Sequence, residues 1–184
     1  MGKSVISVRT VVAIGIGAAL MFVLNRFVAV PSGIPNVTIN LGIAILAVFA
    51  AIFGPIAGLL IGFIAHFLVD LTWGWGVWWS WVICSALFGL AVGIFRGLYK
   101  IEEGGFGFKQ CVWFNVVQIA TNAIVWGVVA PTLDILIYQE PADKVYLQGL
   151  VAGASNAVVV LILGTLLAFG YSKTIAKSGS LRAE

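Results

Sequence analysis

Apolar residues in this chain fall into long runs broken at a few polar points, and the breaks define the elements. The first run, residues 8–28, predicts a helix long enough to cross a bilayer, which takes about 20 residues. A break follows at PSGIPNVTIN, residues 31–40, where two prolines, a glycine and short polar side chains argue against regular helix. This stretch reads as a loop able to fold over a pocket, with Asn36 and Asn40 as its polar contributions. Further apolar runs cover residues 38–52, 55–71, 77–95, 110–130 and 146–171. They are separated by Gly54-Pro55, a Trp- and Gly-rich break at 72–76, a charged loop at 96–109 and a polar stretch at 131–145.

Composition fixes the class. Hydrophobic residues make up 61% of the chain and charged residues 9%, against roughly 45–50% and roughly 25% in soluble domains. The expected fold is all-α and integral to the membrane: a single six-helix bundle with no soluble domain. The net charge of +3 comes from scattered basic residues and does not form a nucleic-acid footprint. Its placement is topogenic. With six spans, Lys3, Arg9, Arg96, Lys100, Lys109, Lys173, Lys177 and Arg182 share one side, and Arg26 and Lys144 take the other. The richer side is cytoplasmic by the positive-inside rule, so both termini are expected inside, with the proline loop and the Trp-rich loop outside. The first run is followed by further spans and ends in no small-residue cleavage site, so it reads as a retained helix. Cys84 and Cys111 lie in apolar runs without metal or redox spacing and read as buried thiols.

Orientation places the polar residues by depth. His66 and Asp70, four apart, sit in the outer half of segment three. Five of the seven tryptophans, Trp73, Trp75, Trp78, Trp79 and Trp81, crowd the same boundary. Asn115, Gln118 and Asn122 recur at helical spacing on one face of segment five, and Gln148 and Asn156 lie on segment six. Polar groups in hydrocarbon usually face a bundle interior or a cavity. Neutral amides offer both donors and acceptors, and aromatic faces stack on flat rings. The set therefore suits a flat, polar small molecule, with Asn36, Asn40, His66, Asp70, Trp78, Trp79, Gln118, Asn122 and Asn156 as candidate contacts. Plainer readings stand beside this one. The tryptophans also suit an interfacial belt, the His66–Asp70 pair a structural tie, and the segment-five amides interhelical bonds. Asp134 and Glu140 read as solvated loop charges. One histidine leaves a metal site short of ligands. The chain carries no GxxxxGK[ST] phosphate loop, GxSxG or HExxH, which argues against an ATPase or a small membrane enzyme.

SVRTVVAIGIGAAL, FGPIAGLLIGFIAHFLVDL and WGVWWSWVICSALFGL resemble the substrate-binding S components of energy-coupling factor (ECF) vitamin transporters, and most closely the subgroup linked to hydroxymethylpyrimidine or pyridoxine. The resemblance covers nearly the whole chain. It implies a six-helix bacterial cell-membrane protein without a cofactor of its own. Its pocket would be capped by the first loop and lined by helices four to six. A transmembrane T component and two ATPase subunits, which use the ATP, would be its partners, and the S component would topple in the membrane to deliver its ligand. The small residues Ala13, Gly15, Gly17, Ala18 and Ala19 of helix one would dock on the T component, although internal packing is the plain reading of the same stripe. On the docking reading, Gly17→Leu blocks partner association and spares ligand binding. Metal-specific relatives carry a histidine after the initiator methionine, where this chain has Gly2. The alternative function is a self-sufficient proton-coupled transporter using His66 and Asp70 as a relay.

Overall fold

The computed structural model describes residues 7–74 and 76–180, with side chains placed as far as residue 175. Gly2, Lys3, Trp75, Arg182 and the side chain of Lys177 lie outside the described residues. Helix α1, Val8–Phe27, opens on Ser7, whose Oγ accepts a hydrogen bond from the Thr10 amide at 3.2 Å, an N-cap for one of the orphan amides of the first turn. A short hairpin follows, β1 at Val30–Pro31 and β2 at Thr38–Ile39. Then come α2 at Gly42–Phe53, α3 at Pro55–Trp73, α4 at Trp79–Ile94 and a single turn, α5, at Arg96–Tyr99.

The second half is built from two long rods. Helix α6, Phe108–Ile124, passes through a π-helical turn at Val125–Val129 into α7, Ala130–Tyr138. Helix α8, Ala142–Val159, passes through a second π turn at Val160–Gly164 into α9, Thr165–Ser180. Among the described residues, four helical stretches are long and apolar enough to cross a membrane: Val8–Phe27, Pro55–Trp73, Phe108–Tyr138 and Ala142–Ile175. Helices α2 and α4, at 12 and 16 residues, rise only about 18 and 24 Å at 1.5 Å per residue.

Glycine spacing in α3 and α4 has a definite cause. Gly54 turns the chain at φ 92°, and Pro55 starts α3 at a position where its missing N–H costs nothing. From there Gly58 and Gly62 meet α4 backbone to backbone. A Cβ on Gly58 would strike the Gly89 carbonyl, one on Gly62 the Ser85 carbonyl, and one on Gly93 the Gly54–Pro55 backbone at 2.6 Å. Small residues four apart on both helices bring the axes close where lipid supplies no hydrophobic drive. This seam is what lets His66 of α3 reach Ser85 of α4.

The small-residue stripe of α1 divides between two faces. Ala13, Gly17 and Ala18 are buried inside the chain's own bundle, and a Cβ on Gly17 would lie 2.7 Å from Ile61 Cδ1 and 2.8 Å from Phe49 Cδ1. Gly15 and Ala19 face outward beside Val12 and Ile16. The expectation that all five form one docking face is therefore corrected, because a 3.6-residue period cannot hold residues 13, 15, 17, 18 and 19 on one side. We expect Gly17→Leu to damage folding, visible as a lowered thermal midpoint in detergent. Gly15→Leu, with open space around its Cβ, is expected to leave the stability within about 0.5 kcal/mol of wild type, the usual range for substitutions away from packed features, and so to leave the midpoint nearly unmoved.

The polar stretch expected at 131–145 is mostly helix. Helix α7 runs to Tyr138, and only residues 139–141 link it to α8. The apolar run ILIY after Asp134 continues the helical face, and the π turn just ahead of Pro131 rearranges the bonding where the proline offers no N–H. Between the rods, Asn115 Nδ2 donates to Thr165 Oγ1 at 2.9 Å and Gln118 Nε2 to the Ala157 carbonyl at 3.2 Å. Cys84 is buried and Cys111 half-buried, both as free thiols. At one end of the bundle Arg9 joins several elements, with Glu102 at 2.9 Å, the Tyr171 hydroxyl at 3.5 Å and the Phe53 ring 5.3 Å below its guanidinium. The β hairpin, which follows the far end of α1, lies at the other end.

Candidate ligand-binding site

The hairpin is a compact roof. Val30 pairs with Ile39 and Pro31 with Thr38. Across its tip Ser32 Oγ donates to the Val37 carbonyl at 2.7 Å and accepts from the Ile34 amide at 3.1 Å. Asn36 adopts φ 63°, a left-handed conformation that Asn tolerates better than most residues. Gln148 of α8 donates to the Pro35 carbonyl at 2.9 Å and ties the tip down.

Beneath the roof lies a cavity of about 530 Å³, within the roughly 300–1,000 Å³ of small-molecule sites. Its walls come from α1 (Met21, Asn25), α3 (His66, Asp70, Trp73), α4 (Trp81, Ser85), the first π turn (Trp126) and α8 (Ala152, Asn156). A smaller compartment of about 270 Å³ adjoins it, and His66, Asp70, Trp81 and Asn36 line both.

The dividing wall is tightly ordered. His66 Nδ1 and Ser85 Oγ are 2.6 Å apart, and His66 Nε2 stands 3.6 Å from Asp70 Oδ1. Asp70 Oδ2 accepts from the Trp78 amide at 2.9 Å, fixing the start of α4. The His66 ring stacks on Trp126 with centroids 6.4 Å apart and planes 24° apart, and Trp126 meets Trp81 at 5.2 Å. Trp126 is 3% exposed and its indole N–H has no partner.

Asp134 overturns its reading as a solvated loop charge. It is 1% exposed and accepts from Trp78 Nε1 at 2.7 Å, Trp81 Nε1 at 2.7 Å and the Ser80 hydroxyl. A carboxylate can hold several donors at once, and this one clamps the indoles of Trp78, just ahead of α4, and Trp81, within it, onto α7. Tyr138 completes the clamp, stacking on Trp78 at 4.2 Å and accepting from the Trp79 amide at 2.8 Å. Glu140 is the partner of Lys144 at 2.6 Å.

Of the residues singled out from sequence, Asn36, Asn40, His66, Asp70 and Asn156 line the larger cavity, and Trp78 lines the smaller one. Trp79 is 44% exposed, packs on Phe63 and Phe67 and is not among the lining residues. Gln118 and Asn122 are buried in the ladder between the rods: Asn122 Nδ2 donates to the Gln118 carbonyl at 3.0 Å and to Gln118 Oε1 at 3.0 Å. Trp126, Ser85 and Asp134 are among the contributors that the sequence reading did not place in the site. Trp126 extends the 115–118–122 face by one more step of four, which was a readable signal. Ser85 left none within its apolar run, and Asp134 none within a stretch that reads as a polar loop.

Apolar helices of membrane-crossing length, with an amide- and indole-lined cavity roofed at one end, make a membrane-embedded small-molecule-binding protein. The chain belongs to the family described as ECF-type riboflavin transporter, S component, whose model matches residues 5–173. Its relatives include UPF0397 proteins from Clostridium perfringens, 50% identical over the full length of both chains, and Staphylococcus aureus, 49% identical over the same extent. A UPF0397 protein from Lacticaseibacillus casei is 47% identical over 99% of this chain and 98% of its own. No solved structure matches. The family is one of transporter substrate-binding subunits, not of enzymes, and S components of ECF transporters work with T and ATPase modules.

Proposed function

We propose that this chain captures a small, flat vitamin or vitamin precursor, hydroxymethylpyrimidine or pyridoxine foremost, at the outer face of the bacterial cell membrane. It does so as a six-span bundle with both termini cytoplasmic. The observation that carries the reading is the roofed cavity of about 530 Å³ beside the His66, Trp126 and Trp81 rings. A flat ligand ring adds to that aromatic series, at about 0.5–1.5 kcal/mol per stacked pair beyond area burial. Asp70 and the amides Asn36, Asn40 and Asn156 supply hydrogen bonds, and the hairpin gates access. The excess of basic residues assigned to the side of Arg9 supports placing that end in the cytoplasm and the cavity outside. The outward apolar face of α1 around Gly15 and Ala19 docks on a T component, two ATPase subunits supply energy, and toppling carries the ligand inward.

Calorimetry on the detergent-purified chain tests this. Pyridoxine, hydroxymethylpyrimidine and riboflavin form the panel, riboflavin because the family's description names it. Binding of one of them without ATP, together with co-purification of T and ATPase subunits that Gly15→Leu abolishes, is the expected result. A folded chain that binds none of the three defeats the reading.

A further inference from the structure

The smaller compartment has a one-sided chemistry. Three carboxyl groups face it, from Asp70, Asp134 and Glu140, against one ammonium, Lys144, and the His66 ring. Among the described residues, four of its six side-chain donor groups are engaged, and the Asn36 amide and His66 Nε2 are not. Trp78 Nε1 and Trp81 Nε1 are held by Asp134, Lys144 Nζ by Glu140 Oε2 and Gln148 Nε2 by the Pro35 carbonyl. Acceptor capacity remains, because the His66 nitrogen nearest Asp70 Oδ1 lies at 3.6 Å, longer than a good hydrogen bond. A phosphate group needs donors and positive charge, and this chamber sets three carboxyl groups against one ammonium among the described residues. A hydroxyl or amine needs an acceptor and finds one at the wall shared with the larger cavity.

We propose that the smaller compartment receives the hydroxyl- or amine-bearing arm of a ligand whose ring sits in the larger cavity, and excludes the phosphate ester of that same ligand. Glu140 sets the selection by occupying Lys144, the one ammonium among the described residues that line the chamber. This rests on the vitamin-capture reading and narrows its substrate class to unphosphorylated forms.

The test pairs each alcohol with its phosphate monoester: pyridoxine, hydroxymethylpyrimidine and riboflavin against their phosphates, by calorimetry on the full chain. The alcohol that binds is expected to exceed its ester by at least about 30-fold, or about 2 kcal/mol at 1.4 kcal/mol per tenfold. Glu140→Gln, which frees Lys144, is expected to shrink that ratio several-fold, and Lys144→Gln to preserve or widen it. An ester binding within threefold of its alcohol overturns the exclusion while leaving vitamin capture standing. A ratio unmoved by Glu140→Gln overturns the role of Glu140. If none of the alcohols binds, capture and exclusion fall together.

Discussion

Gly89→Leu is expected to abolish recovery of folded protein, or to lower its stability beyond the roughly 1–3 kcal/mol typical of an overpacked core. The Cβ alone would strike the Gly58 carbonyl and lie 2.9 Å from Leu46 Cδ1. Backbone cannot rotate aside as a side chain can, so α3 and α4 must separate. Separation also breaks the His66–Ser85 contact at 2.6 Å, so any surviving protein loses its ligand. Gly97→Leu is the control, since that glycine has nothing within 4 Å of an added Cβ. Thermal unfolding in detergent and the monodisperse yield report the outcome. A Gly89→Leu midpoint equal to that of Gly97→Leu would show that the seam is not tight.

Asp134→Ala is expected to weaken binding of whichever panel vitamin the chain takes by about 100-fold or more, about 2.7 kcal/mol. The substitution strands the Trp78 and Trp81 indole N–H groups and the Ser80 hydroxyl, each at about 1–3 kcal/mol when buried without a partner. The loss reaches the ligand through geometry, because Trp81 lines both compartments and Trp78 the smaller one. Asp134→Asn keeps the shape and one acceptor oxygen but sets an amide N–H against one of the donors, so it falls between. Affinity by calorimetry and indole fluorescence together read the effect. Wild-type affinity in Asp134→Ala would remove the clamp from the binding site.

Much of the site was legible because breaks in hydropathy are local. The proline loop had to leave the helix, and it forms the roof. His66 and Asp70, four apart on an apolar helix, had to share a face, and both line the cavity. Gln118 and Asn122 show the limit. Their spacing put them on one buried face, but that face meets α8 and α9 through Asn115, Thr165 and Ala157.

The sequence alone settled the solvent this chain lives in, the helical class, the position of the roof and the membership of a substrate-binding family, because run length, composition and motif order need no partner to be read. The tertiary structure decided which apolar side of each helix packs on protein and which faces out of the bundle. Both surroundings are equally oily, so hydrophobicity along the chain carries little trace of the difference. The helical period required the α1 stripe to divide, and only packing decided that Gly17 faces in and Gly15 out. Packing likewise decided that Asp134, read as a surface charge, is the carboxylate around which Trp78, Ser80 and Trp81 are set.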